Sequence, residues 1–330
     1  MNKAELFKKR IGFKGPLEDI SIAVCKQYGL GAFVSNKLVT VGYEDFNFSL
    51  NTSKGIFFVK IFANFRTLSD CKRYVEMIEE ALAKKVHTPK LLKSRYGYLN
   101  IVKANGRKLR LVVMDFIDGK SMFESRIKLN QKEVKFLAKQ AVRVNLMGVK
   151  PKFVYDHWAV IHFLKEFRKT KRFLTASDLA LVAPLIKEFK ELKIDTLPHC
   201  FVHGDIITTN IIKDKKGKLW IIDFSVANYY PRINELAVMI CNTFFDPKSK
   251  ARTDKNFKIA VKEYQKITPL TQRELKALPV YVKLAYGMHM LGPTYQKFKK
   301  GNKTSENNYW LKQGRAGLLQ TKNLAKKCST

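Results

Sequence analysis

Phe201-Val-His-Gly-Asp-Ile-Ile-Thr-Thr-Asn-Ile-Ile-Lys-Asp-Lys-Lys-Gly-Lys-Leu-Trp-Ile-Ile-Asp-Phe224 is the stretch whose reading decides the fold. Two apolar runs, Ile211-Ile212 and Leu219 to Ile222, flank Asp214-Lys215-Lys216-Gly217. An apolar run, a turn ending in glycine and a second apolar run spell a β-hairpin. Folding the chain there brings Asn210, just before the first strand, near Asp223, just after the second. Asp205 lies five residues upstream of Asn210, on a loop that the hairpin anchors. Two carboxylates and an amide therefore converge at one end of a rigid element. Hard oxygen donors in that number suit Mg²⁺, which takes few protein ligands and several phosphate oxygens.

Working upstream, the chain reads as strands. Runs at Ala32 to Val41, Phe46 to Thr52 and Ile56 to Phe62 are separated by Gly42-Tyr-Glu-Asp45 and Ser53-Lys-Gly55. The alternation in Phe46-Asn-Phe-Ser-Leu50 marks a strand with one buried face. Ile56-Phe-Phe-Val59 is apolar throughout, as a central strand would be, and Lys60 puts an ammonium at its far end. One helix precedes these strands, Leu17 to Tyr28, with Pro16 at its start and Gly29 at its end. Another follows, Leu68 to Lys84, with apolar residues at Tyr74, Met77, Ile78, Ala81 and Leu82 in helical spacing. Two further strands run around Tyr98 to Lys103 and Leu109 to Met114. Beyond Asp115-Phe-Ile-Asp-Gly119 the periodicity turns helical: Gln131 to Leu146, Trp158 to Arg168, Ser177 to Leu192, Pro231 to Phe245, Asp254 to Lys266 and Thr271 to Gly287. The expected fold is a two-lobed α+β chain. Residues 1–115 form a β-rich lobe, and residues 116–330 form a mainly helical lobe that carries the hairpin.

A chain of 330 residues with 46% apolar residues supports such a core. No apolar run reaches the ~18 residues of a membrane span, and Met1-Asn-Lys-Ala-Glu5 lacks a secretory core. Five scattered cysteines without a C-x-x-C pair argue against a disulfide framework and a zinc site, and for a cytoplasmic setting. The formal charge of +34 would attract nucleic acid or phosphorylated ligands. The basic residues are spread over every segment, however, and residues 295–330 stand out by having a single acid, Glu306.

Phosphoryl transfer asks a protein for a cation on the phosphates, metal ligands and a carboxylate that orients the attacking hydroxyl. Asp205 and Asn210 have the D-x-x-x-x-N spacing of a kinase catalytic loop, and Asp223-Phe224 stands where such enzymes keep a metal-binding aspartate. His203-Gly-Asp205 with Asn210 and Asp223-Phe224 resembles the aminoglycoside phosphotransferases, choline kinases and homoserine kinases, a phosphotransferase family with a protein-kinase-like fold. Gly42 to Gly55 looks like the family's nucleotide-covering hairpin, Val113 to Gly119 like its hinge, and Asn228 to Ala237 like the segment after the metal aspartate. The likeness spans most of residues 20–245.

The resemblance implies transfer from ATP with Mg²⁺ to a hydroxyl of a small molecule. It implies Asp205 as catalytic base, Asn210 and Asp223 as metal ligands, and Lys60 on the ATP phosphates. Glu76 is implied as the partner of Lys60, with Glu79 or Glu80 able to fill that place. Asn47 in the covering hairpin, and Met114 and Phe116 in the hinge, complete the implied nucleotide contacts. His203 reads as a core histidine that shapes the loop. Departures are Glu235 where relatives carry aspartate, Asn145 where they often carry histidine, and Ile206-Ile-Thr-Thr209, which differs from homoserine kinases. A protein kinase is disfavoured by the missing third glycine after Gly29 and Gly31, by Ser225 after Asp223-Phe224, and by the lack of A-P-E. No P-loop is present. An aromatic cage for a quaternary ammonium would draw on Tyr229, Tyr230, Tyr309 and Trp310. An anionic or zwitterionic acceptor suits the overall charge better. The alternatives are a basic nucleic-acid-binding protein on an idle kinase fold, or a protein serine/threonine kinase.

Overall fold

The computed structural model describes residues 3–39 and 45–321. In chain order the elements open with helices α1 (Lys3–Ile11) and α2 (Leu17–Tyr28) and strands β1 (Phe33–Val39), β2 (Phe46–Thr52) and β3 (Gly55–Ile61). Helix α3 (Leu68–Ala83) leads to β4 (Asn100–Ala104), β5 (Arg107–Asp115) and β6 (Gly119–Ser121). Helices α4 (Met122–Ser125), α5 (Gln131–Asn145), α6 (Phe163–Thr170), α7 (Ala176–Val182) and α8 (Leu185–Glu191) follow. Then come β7 (His199–Val202), β8 (Ile211–Asp214), β9 (Leu219–Ile221) and β10 (Asn228–Pro231). Helices α9 (Ile233–Cys241), α10 (Lys250–Gln265), α11 (Gln272–Lys300) and α12 (Ser305–Thr321) complete the chain. The fold is α+β, an antiparallel sheet region followed by a helical part.

Two compact units divide these elements. The first holds the described residues up to Lys120 together with Ile212–Ile222, and the second holds Ser121–Ile211 and the described residues from Asp223 on. The hairpin expected inside the helical part thus groups with the sheet unit, and the break falls after Lys120 rather than at Asp115.

In the sheet unit, five antiparallel strands run in the order β1-β2-β3-β5-β4. Strand β3 is paired on both sides, as its unbroken apolar run required. Strand β2 alternates buried and half-buried along its length. Its buried set, Phe46, Phe48 and Leu50, shares a core with Val59, Ile61, Leu111 and Val113 from the neighbouring strands. Ile20 and Val24 of α2, and Phe7 and Ile11 of α1, cover that face. Helix α2 ends at Gly29 with φ 66°, a left-handed cap that glycine adopts without strain. Sequence periodicity missed α1, whose nine residues carry three cations in the last turn and only a short apolar stripe. The turn Gly42 to Glu44 of the expected covering hairpin lies outside the described residues.

The hairpin β8–β9 joins β6 in a three-stranded sheet. Asp214 fixes its turn, accepting from the N–H groups of Lys216 (2.9 Å) and Lys218 (2.8 Å) and from Trp220 Nε1 (2.9 Å). Gly119 allows β6 to close on β8, since a Cβ there would lie 2.3 Å from the Lys213 carbonyl oxygen.

In the helical unit, three helices differ from expectation in their bounds. The expected helix Ser177 to Leu192 is two, α7 and α8, divided at Ala183-Pro184. Helix α6 begins only at Phe163, after a tight turn at Val160–His162. Helix α11 runs through Pro279, Gly287 and Pro293 to Lys300, past the expected end at Gly287. That glycine serves packing: a Cβ would meet Leu185 at 2.9 Å and Phe163 at 3.0 Å. Helix α12 lies against α11 through Gly314 and Gly317, with Trp310 and Leu318 buried. The four-residue pair β7–β10 was likewise unseen in the sequence. It positions the site directly, because β7 runs into His203 and β10 follows Phe224.

Candidate active site

The loop from His203 to Asn210 is tied at nearly every residue. His203 is fully buried with its ring 4.4 Å from that of Phe224, and its Nδ1 accepts the Asp205 N–H at 3.2 Å. It shapes the loop. Gly204 has φ 77°, a left-handed bend that turns the chain between His203 and Asp205. The Asn210 amide nitrogen donates to Asp205 Oδ2 at 2.7 Å and to the Asp205 carbonyl at 3.1 Å. The loop's outer edge is held by Thr208 N–H on Asn242 Oδ1 (3.0 Å), Thr243 Oγ1 on the Ile206 carbonyl (2.8 Å) and Phe123 N–H on the Thr208 carbonyl (2.9 Å).

Of the three departures from the family pattern, Glu235 braces this loop and Asn145 braces the strand that leads into it. Glu235 of α9 is fully buried, and its Oε2 accepts from the N–H groups of His203 (2.6 Å) and Gly204 (3.4 Å). Burial pushes its carboxyl up to about 7, against the lowering effect of those two donors. Asn145 of α5 donates to the Phe201 carbonyl at 2.9 Å and accepts from the Tyr264 hydroxyl at 2.7 Å. An amide at this position therefore links α5, β7 and α10.

Asp223 sits at φ 66°, and its Oδ1 accepts from both the hydroxyl and the N–H of Ser225. Asp205, Asn210 and Asp223 all lie in the helical unit. The Asp205 carboxyl is held well above the usual carboxylate range, first by burial, then by the charges of Asp156 and Asp223, with the Asn210 hydrogen bond opposing. Two like charges acting on a third carboxylate make a place where a cation is favoured. The donor set fits Mg²⁺. Because the Asn210 amide nitrogen is taken up by Asp205, its carbonyl oxygen is the atom left to serve as a ligand, and Asp223 supplies a carboxylate.

Motif reading missed Asp156. It is buried, with Oδ1 accepting the Trp158 N–H at 2.8 Å. Asn228 pins its loop by accepting the Val154 N–H (3.1 Å) and donating to the Val154 carbonyl (2.9 Å). Asn228 in turn opposes Val202 in the β7–β10 register, three residues before Asp205. One signal was available: Asp156 is the single acid between Glu133 and Glu166. The four aromatics considered for a cage split into two pairs. Tyr229 and Tyr230 are neighbours on β10, one exposed and one buried, whereas Tyr309 and Trp310 of α12 pack on Phe123 at 5.1 and 5.5 Å.

In the sheet unit, Asn47 of β2, Lys60 of β3 and Val112 of β5 stand opposite one another, and Met114 lies two residues further along β5. By strand alternation these share one face, the reverse of the apolar core. Met114 is buried, Phe116 is half-buried just past β5, and Asn47 Oδ1 is buried without a partner. Lys60, expected to pair with Glu76, has an ion pair with Asp45. Its Nζ pairs with Asp45 Oδ2 at 3.0 Å, both side chains being buried. Glu76 and Glu79 are exposed on α3, and Glu80 pairs with Lys84 at 3.9 Å.

A model of the phosphotransferase enzyme family matches residues 36–270. A homoserine kinase of Agrobacterium fabrum is 25% identical over 266 residues, covering 77% of this chain and 78% of that protein. Among solved structures, an aminopropanol kinase associated with microcompartments superposes with a TM-score of 0.70 at 12% identity, covering 95% of this chain and 98% of its own. An amicoumacin kinase solved with AMP-PNP and Ca²⁺ superposes with a TM-score of 0.66 at 16% identity, covering 98% and 97%. No helix among the described residues is long and apolar enough to cross a membrane.

Proposed function

This chain belongs to the phosphotransferase enzyme family, and we propose that it uses ATP and Mg²⁺ to phosphorylate a hydroxyl group of a small molecule. The Asn210 hydrogen bond to Asp205, with Asp223 close enough to raise the same carboxyl, is the observation that carries this reading. Asp205 Oδ2 is held by Asn210, so Oδ1 is the oxygen that would take the acceptor's hydroxyl proton as the new O–P bond forms and the bond from the γ-phosphorus to the bridging oxygen breaks, ADP leaving with that oxygen. The loop ties from Glu235, Asn242 and Thr243 keep that oxygen in place without reorganisation. Asn210 and Asp223 would hold Mg²⁺, which supplies charge neutralisation on the phosphate oxygens when bound. Lys60, with Asn47, Met114 and Phe116 nearby in the sheet unit, forms the proposed nucleotide contact.

For the acceptor, a hydroxylated amine or amino acid is the first choice. Asp156 places a second carboxylate beside Asp205, which favours an ammonium there despite the chain's overall positive charge. The likeness to a homoserine kinase points the same way. A cytoplasmic setting belongs to the same proposal, supported by the free thiols Cys25, Cys71, Cys200 and Cys241. The test is an acceptor panel of amino alcohols, hydroxy acids, sugars and serine peptides, scored for ADP formation with and without Mg²⁺. Acceptor-dependent ADP from an amino alcohol is expected. Turnover of the peptides alone would move the protein to the protein-kinase class.

A further inference from the structure

We infer that Asp45, and not a glutamate of α3, is the positioning residue for Lys60; this rests on the proposed nucleotide role of that lysine. The strand register puts it there. Asn47 of β2 opposes Lys60 of β3, and Asp45, two residues before Asn47, falls on the same face. Asp45 Oδ2 meets Lys60 Nζ at 3.0 Å, with the two side chains 3% and 4% exposed.

The carboxylate is itself fixed. Its Oδ1 accepts from the Ala63 N–H at 3.0 Å and from Arg66 Nε at 2.9 Å. Arg10 clamps the Asp45 backbone by donating to its carbonyl at 3.1 Å. Ala63 and Arg66 lie just past β3, so the segment that follows the Lys60 strand supplies the donors that orient its partner. Breaking a buried pair of this kind leaves an uncompensated charge, so its geometry is strongly held.

Helix phase removes the glutamates. Tyr74 of α3 presents its ring to Lys60 Nζ at 5.0 Å from the centroid. At 3.6 residues per turn, Glu76, Glu79 and Glu80 lie roughly 200°, 140° and 240° around the helix from Tyr74. Glu76, the expected partner, lies nearly opposite the face that meets the lysine and is exposed. Helix α3 therefore contributes an aromatic face, and the anionic partner comes from the sheet. One functional consequence is that the anionic partner of Lys60 is held by the segments bordering β2 and β3 and not by a glutamate of α3.

The experiment measures equilibrium binding of AMP-PNP with Mg²⁺ to the full chain and to Asp45→Asn, Glu76→Gln, Lys60→Met and the Asp45→Asn/Lys60→Met double variant. Lys60→Met and Asp45→Asn are each expected to weaken binding about tenfold, as loss of a charge-assisted contact does. Glu76→Gln should stay within about twofold, since exposed pairs contribute little. On the Lys60→Met background, Asp45→Asn should add nothing, because residues acting through one another are not additive. If Asp45→Asn weakens binding equally with and without Lys60, Asp45 is merely structural and the inference fails. It also fails if Glu76→Gln weakens binding as much as Lys60→Met does, a comparison that stands even if Asp45→Asn does not fold. Unchanged binding in Lys60→Met would instead strike the nucleotide role of Lys60, and the inference with it.

Discussion

Replacing Glu235 by glutamine tests how the catalytic loop is braced. In the folded chain the carboxyl is raised from 4.5 to about 7 by complete burial. A group raised in the folded state contributes stability that is fully present below its unfolded value and is lost as pH rises through its folded value. For Glu235 that window runs from 4.5 to about 7. At about 1.4 kcal/mol per pH unit the loss across it is about 3 kcal/mol. Glutamine retains an oxygen to accept the His203 and Gly204 N–H groups, and it cannot ionise. Its NH₂ would replace Oε1, which is buried without a partner, so a pH-independent penalty of about 1–3 kcal/mol accompanies the change. The diagnostic is therefore the slope. Urea denaturation of both proteins at pH 5, 6, 7 and 8, followed by tryptophan fluorescence, should show the variant gaining on the parent by about 3 kcal/mol between the extremes. Parallel pH profiles would refute the reasoning, because Glu235 would then ionise at the same pH folded and unfolded.

Two further variants test other parts of the helical unit. Asp156→Asn removes a charge that raises the Asp205 carboxyl, so the acid limb of the kcat/KM profile should move to lower pH. The same variant should raise KM for an amine-bearing acceptor more than for a neutral one, which steady-state kinetics on both acceptors would show. Arg232→Ala strands the buried Glu274 carboxylate, which Arg232 Nε meets at 2.5 Å, and should cost about 3–5 kcal/mol in a denaturant titration.

Much of this architecture is legible in the sequence where local chemistry decides it. Pro16 and Gly29 bound α2 correctly because each has a backbone reason to sit there. The alternation Phe46-Asn-Phe-Ser-Leu50 fixes β2 and its faces, since side chains on a strand must alternate. Asp205, Asn210 and Asp223 are readable together because a hairpin turn dictates what meets at its base. Long-range packing hides the rest. Helix α12 contains Gly314 and Gly317, poor helix formers in isolation, and they are explained only by the close approach of α11. Strands β7 and β10 are four residues each and exist by pairing with one another. The partner of Lys60 was half-readable. The apolar stripe Tyr74, Ile78 and Ala81 already turns Glu76 outward, yet nothing local marks Asp45 as its replacement.

The most direct test of phosphoryl transfer from this site follows the phosphorus itself. The panel's best acceptor is incubated with ATP and Mg²⁺, and the products are resolved by ³¹P NMR for the parent chain and for Asp205→Asn. The account predicts a new phosphate monoester on the acceptor hydroxyl with the parent. With Asp205→Asn its rate of appearance should fall about 10²- to 10⁴-fold, while binding of the nucleotide is retained. Monoester formation at the parental rate by Asp205→Asn would contradict it.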